Sequence, residues 1–223
     1  MGQGFISKYI LRGIADFIRG RKNTTAEIKP VDMVAELESI PTYEQGRQAE
    51  YDAFWNVLQQ NGTKTWYWGC FAGAGWTDEI FKPIHPFDKC TNTGYMFRHS
   101  KITHIPRVET TEKNIIQTFY EANGVHTIDC FAFNIATSFN QTFYLCSNLE
   151  NLIIEGTIAG NGFNVQWSKK LSHNSIVSIM ICLSTTTSGL SIILPEEAVK
   201  REFTDEEWAE LVASRPNWTI VLV

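Results

Sequence analysis

A phrase built on phenylalanine returns three times in the middle of the chain. Tyr95-Met96-Phe97 leads to Ile102 and Ile105, Thr118-Phe119-Tyr120 to Val125 and Ile128, and Thr142-Phe143-Tyr144 to Leu149 and Leu152. The phenylalanine recurs after 22 and then 24 residues, the closing aliphatic after 23 and then 24. A unit of that length cannot bury its own apolar face, so a steady period of this size implies units stacked around a shared core. Each unit reads as a turn carrying the Phe, a polar stretch, and a short strand such as Ile102-Thr103-His104-Ile105 or Leu152-Ile153-Ile154, with residues pointing alternately in and out. Parallel stacking of those strands would leave His104, Thr127 and Asn151 on the open surface of the sheet. Stacked repeats mostly make surfaces for binding, which favours recognition over chemistry as the role. The competing reading is a chance likeness of three aromatic segments.

The flanks divide the chain into four parts. Residues 1–61 read as a helical attachment and oligomerisation module. Its first helix, 5–20, carries Ile6, Tyr9, Ile10, Ile14, Phe17 and Ile18 on one face, and Pro30 opens a second short helix. A third helix runs from Thr42 to about Gln60. Positions 47, 51, 54 and 58 alternate there by four, three and four, the seam of a coiled coil, although an ordinary helix packed on the repeats fits equally well. Residues 62–94 are aromatic-rich and glycine-broken, with Trp66, Trp68 and Trp76 either capping the first repeat or forming a platform for stacking sugar rings. Residues 95–168 hold the repeats. Residues 169–223 read as an α/β cap: a helix begun at Ser172, a strand over Leu190–Leu194, a helix opened by the capping box of Thr204 and Glu207, and a last strand over Trp218–Val223. The fold class is therefore α+β, with N-terminal helices, a short solenoid of parallel strands and an α/β C-terminal cap.

Charge and motif content narrow the chemistry. A net charge of −5 argues against a general nucleic-acid footprint, and the one basic cluster, Arg19, Arg21 and Lys22, follows a predicted helix where cations suit the dipole. No run of about 20 apolar residues suggests a membrane span. The first ten residues lack a cleavable-signal pattern, so synthesis in a cytoplasm is expected. Cys70, Cys90, Cys130, Cys146 and Cys182 are odd in number, irregularly spaced and free of any CxxC pair, which predicts reduced thiols. The histidines form no HExxH, no GxSxG or phosphate-binding glycine pattern occurs, and neither a metal, a cofactor nor an enzyme activity is expected. His104 and His126 occupy equivalent places in successive repeats, which reads as surface repetition.

The repeats resemble the BspA type of leucine-rich repeat, whose units of about 23 residues carry an "MF…CssLttI" phrase. Tyr95-Met96-Phe97 to Ile105, and Thr142-Phe143-Tyr144-Leu145-Cys146-Ser147-Asn148-Leu149 to Leu152, match best; in the middle unit Ala122-Asn123-Gly124-Val125 departs from it. Leu11-Arg12-Gly13-Ile14-Ala15-Asp16-Phe17-Ile18-Arg19, Ala49 to Trp55, Phe71 to Pro83, Gly162 to Ser168, and the C-terminal Phe203-Thr204-Asp205-Glu206-Glu207-Trp208 with Asn217-Trp218-Thr219 are similar to segments of phage and prophage virion proteins of Gram-positive gut bacteria. The resemblance implies a non-enzymatic tail- or fibre-type virion protein that binds a host surface or a neighbouring virion protein. Its partners would be other virion proteins through the N-terminal helices, a host-surface glycan or protein, and further copies of itself. The rival roles are head decoration or assembly, and a bacterial surface-associated repeat protein or glycan hydrolase. The candidate binding residues are Arg98, His104, Glu121, His126, Tyr144 and Asn148 on the repeats, with Trp66, Trp68 and Trp76 upstream.

Overall fold

The structure is a computed structural model that describes residues 65–83 and 86–223. The predicted helical module, residues 1–61, lies outside the described residues. What is described is a parallel β-solenoid of about three turns, closed at its C-terminal end by three helices and a two-stranded sheet.

The main sheet runs through β1 (Phe87–Cys90), β2 (His104–Ile105), β3 (Val108–Thr110), β5 (Thr127–Ala136) and β7 (Asn151–Ile158), all parallel. β2 and β3 both pair with β5 and form one interrupted rung. Pro106 stands in the gap, where a residue without an N–H cannot serve the ladder. His104, Thr127 and Asn151 are successive register partners, as the repeat spacing requires. A second parallel pair, β4 (Asn114–Ile116) on β6 (Ser138–Asn140), forms a separate side of the coil.

The third side is the phenylalanine turn. Phe97, Phe119 and Phe143 each sit midway between two residues with left-handed backbone: Tyr95 and His99, Gln117 and Glu121, Gln141 and Leu145, all with φ between 47° and 58°. Such conformations cost a non-glycine residue about 1–2 kcal/mol. Here they aim alternate N–H groups at the next turn. Tyr95, Phe97 and His99 donate to the carbonyls of Ile116, Thr118 and Tyr120 at 3.2, 2.8 and 2.9 Å; Gln117, Phe119 and Glu121 donate to Asn140, Thr142 and Tyr144 at 2.9, 3.0 and 2.7 Å. The phrase Thr-Phe-Tyr thus has a physical reading. Thr118 and Thr142 are buried and hydrogen-bonded, the Phe enters the core, and the Tyr faces outward.

The same turn occurs once more upstream. Phe71 is flanked by Gly69 (φ 61°) and Gly73 (φ 103°), and its N–H donates to Met96 O at 2.9 Å. The stack therefore starts one turn before residue 95, inside the segment read from sequence as an aromatic cap. The four rings form one column: Phe71–Phe97, Phe97–Phe119 and Phe119–Phe143 have centroids 5.4, 5.6 and 5.3 Å apart and planes within 26°, 5° and 13° of parallel. Ile102, Ile105, Val125, Ile128, Leu149 and Leu152, the closing aliphatics of the repeats, are all buried behind this column.

After β7 the next rung is a helix, α1 (His173–Ile181). An uncovered edge strand would leave unpaired backbone groups. Ser175 and Ser178, one turn apart on α1, meet that need: their hydroxyls accept from Leu152 N (2.9 Å) and Ile154 N (2.8 Å), and Ser178 also donates to Ile154 O. Ser172 stands at the expected N-cap, but its hydroxyl is engaged with Ser175 and Asn151 rather than with the helix backbone. Beyond it β8 (Leu190–Leu194) pairs in parallel with β9 (Trp218–Leu222), and two helices lie between them, α2 (Glu196–Glu202) and α3 (Asp205–Ala213). The α2 helix was not expected; Glu196 and Glu197 in its first turn and Lys200 and Arg201 in its last suit the helix dipole. The capping box of Thr204 and Glu207 opens α3 as expected.

Candidate functional site

The outward positions of the phenylalanine turns form a ladder along one side of the solenoid. Tyr120 stacks on Tyr144 with centroids 4.9 Å apart and planes 17° from parallel, and Tyr144 meets Trp167 edge-on at 4.4 Å. Arg98 occupies the place equivalent to Tyr120 and Tyr144. Its guanidinium lies 5.1 Å from the Tyr120 ring centroid and 5.3 Å from that of Tyr95, which in turn meets Trp68 at 4.7 Å. The sequence Trp68, Tyr95, Arg98, Tyr120, Tyr144, Trp167 is a continuous aromatic and cationic strip, exposed at Trp68 and half-buried elsewhere. Guanidinium over aromatic faces contributes about 0.5–1 kcal/mol per exposed pair, so the strip is ordered as well as accessible.

Polar groups edge it. His99 Nδ1 lies 3.1 Å from Glu121 Oε2, and Arg98 Nε donates to His99 Nε2 at 3.1 Å. The Glu121 carboxylate beside it raises the Tyr120 phenol above its ordinary pKa, so that ring stays neutral and a hydroxyl donor.

The residues singled out in the sequence separate into groups. Arg98, Glu121 and Tyr144 come together on the strip, and Trp68 ends it. His104 and His126 belong instead to the sheet side, each paired with a carboxylate of the next rung: His104 Nε2 with Asp129 at 2.7 Å, His126 Nδ1 with Glu150 at 3.3 Å. Asn148 ties turns together, donating to Asn123 O at 2.7 Å and accepting from Lys170 Nζ at 2.9 Å. The three tryptophans do not share one setting: Trp66 is 54% exposed, Trp68 is packed on Tyr95, and Trp76 is half-buried edge-on to Phe71. Tyr95, Tyr120 and Trp167 were not singled out. The signal for Tyr120 was its place one residue after the recurring Phe, shared with Arg98 and Tyr144.

Burial pushes the thiols of Cys90 and Cys146 up to about 12 and that of Cys130 up to about 11. They behave as small apolar fillers, protonated at neutral pH. Among the described residues no group of His, Cys, Asp and Glu is arranged to hold a metal ion, and no helix is long and apolar enough to cross a membrane.

On the sheet side, Arg107 reaches across the neighbouring rung to Glu155, Nη1 to Oε2 at 2.6 Å, and also lies 3.1 Å from Cys130 Sγ. The hydrogen bond from Arg107 holds the Glu155 carboxyl below its ordinary pKa. A depressed carboxylate stabilises the fold above its unfolded value of about 4.3, and that contribution is lost as pH falls through the folded value. Glu155 is 55% exposed, so solvent screening keeps the pair to under about 1 kcal/mol. Glu155→Gln should therefore lower the melting temperature by about 1–3 °C at pH 7 and leave it unchanged near pH 2, as read by calorimetry at both values. An equal loss at both would assign the effect to packing.

Fold and strip together define a short parallel β-solenoid with an ordered aromatic edge. The chain has no significant match among protein-family models, curated proteins or solved structures.

Proposed function

We propose that this protein is a non-enzymatic recognition component of a phage or prophage virion, of tail or fibre type, from a Gram-positive gut bacterium. On this reading its turns are leucine-rich repeats of the BspA type. They bind a host-surface glycan or protein, or a neighbouring virion protein, while residues 1–61 attach the chain to the particle and to further copies of itself. The virion assignment rests on the sequence resemblance. The recognition role rests on one structural observation: the strip of Trp68, Tyr95, Arg98, Tyr120, Tyr144 and Trp167 is continuous, half-accessible and held in register by the turns beneath it. Rigid aromatic groups present large contact areas at low entropic cost, and Tyr, Trp and Arg dominate binding hot spots. A shallow repeated surface makes contacts that become strong when several copies are joined.

The strip and the sheet side give different expectations. Tyr120→Ala combined with Tyr144→Ala should reduce binding to host cells, or to isolated virion partners, at least tenfold. His104→Ala combined with His126→Ala should leave it within about twofold, since those exposed pairs contribute little energy. Surface-binding assays on both double variants, with circular dichroism to verify folding, decide the matter. Loss in the histidine variant alone would move the binding surface to the sheet.

A further inference from the structure

At its C-terminal end the aromatic strip runs into a groove of about 510 Å³ between the last repeat turn and the segment leading to β8. Phe139, Gly162 and Ile193 contribute its apolar lining, and Tyr144 and Trp167 add two aromatic surfaces inclined at 63°. The remaining lining residues are Ser138, Asn140, Gln141, Asn161 and Asn164; none of the groove's side chains is charged.

The asparagines carry the argument. Asn161 Oδ1 accepts from Ser191 N at 2.9 Å, and Asn164 Oδ1 accepts from Gln166 N at 2.9 Å. A backbone N–H on the oxygen fixes which end of each amide is which, so the Nδ2 groups are the ends left over. Among the described residues neither Nδ2 has a hydrogen-bond partner. The site therefore offers two pre-oriented amide donors beside an aromatic corner, in a groove without charge.

We propose that this groove binds a neutral hexose-type sugar unit of an oligosaccharide. A pyranose has an apolar C–H face that matches an aromatic surface and a rim of hydroxyls that accept from amide donors. An uncharged lining offers no counter-ion for a phosphate, a sialic acid or an acidic or basic peptide side chain. A volume of this size holds one to two rings, within the usual range of ligand sites. Trp167 would cover one ring face, with the strip beyond Tyr144 leading further residues of the chain along the solenoid. The proposal rests on the recognition reading and gives it a ligand class.

The test uses the full chain and an array of neutral oligosaccharides that includes chitotriose, cellotriose and a β-linked galactotriose, followed by titration using saturation-transfer NMR. At least one neutral sugar should bind. Asn161→Asp and Asn164→Asp each keep the oxygen that accepts from the backbone and remove the Nδ2 donor, so each should weaken binding at least tenfold with little change in melting temperature. Trp167→Phe should weaken binding less than Trp167→Ala does. Sugar binding indifferent to both asparagine changes would overturn the site. A silent array from a chain that still binds host cells would overturn the sugar and leave the recognition reading standing. Capture of an uncharged tripeptide in place of any sugar, with the same dependence on Asn161 and Asn164, would assign the groove to a peptide and overturn the proposal. Sugar binding by a chain that binds neither host cells nor virion proteins would support the groove and remove the recognition reading.

Discussion

Gly156→Ala is expected to destabilise the protein by at least about 3 kcal/mol, although it adds a single methyl group. Gly156 lies in β7 with φ 123°, and a Cβ built there would overlap the carbonyl oxygen of Phe133 in the adjacent rung. Two costs combine. The left-handed backbone alone is worth about 1–2 kcal/mol against a side chain. The overlap is with main chain rather than with a side chain that can turn away, so β7 must lift from β5 just where Ile154 and Ile158 seal the core. For a chain of this size the melting temperature should fall by about 6–12 °C. Gly69→Ala is the internal control. Gly69 also has positive φ, but nothing lies within 4 Å of its Cβ position, and Tyr95, Gln117 and Gln141 hold the equivalent places with side chains. It should cost about 1 kcal/mol. Thermal melts of the two variants side by side measure the steric term directly, and equal losses would mean that β5 and β7 do not approach as closely as described.

That control also explains what the sequence disclosed and what it hid. The period was legible because Phe97, Phe119 and Phe143 keep their aromatic identity and their buried aliphatics at near-constant spacing. The first turn was not, because glycines stand at both of its left-handed positions and Phe71 lies 26 residues before Phe97, off the period. Three-residue strands such as Asn114–Ile116 and Ser138–Asn140 carry too few residues to show alternation and exist only because each rung supports its neighbour. The capping box of Thr204 and Glu207 could be read because its hydrogen bonds are local. The groove could not. Gln141 and Asn164, and Tyr144 and Trp167, stand 23 residues apart, but Asn161 and Ile193 share no such spacing and join them only where the coil turns into its cap. Of the strip, Arg98 and Tyr144 were readable as repeated outward positions, whereas Trp167 has no phenylalanine before it to mark its register.

The second large effect falls on Phe119, one of the two inner rings of the column. It is fully buried, stacks on Phe97 and Phe143, and receives Phe131 edge-on at 5.2 Å. Removing a buried phenylalanine costs about 3–5 kcal/mol, and Phe119→Ala should sit in the upper half of that range because a turn on either side loses its neighbour. The melting temperature should fall by about 8–20 °C. Phe119→Leu refills most of the volume without a ring and should cost about 1–2 kcal/mol, so the difference between the two variants separates cavity from stacking. The consequence reaches the surface, because Phe119 and Tyr120 are adjacent on one turn, the first pointing into the core and the second out to the strip. The inner column sets the rise per turn, and the outer ladder inherits it: 5.3 Å between Phe119 and Phe143 inside, 4.9 Å between Tyr120 and Tyr144 outside. Hydrogen exchange of Phe119→Ala should therefore show lost protection at the Phe97, Phe119 and Glu121 amides, which donate from one turn to the next, before any loss in α1. Uniform loss across α1 and the repeats would mean that the solenoid and its cap unfold as one cooperative unit, and that the strip is held by the whole fold rather than by its ring column.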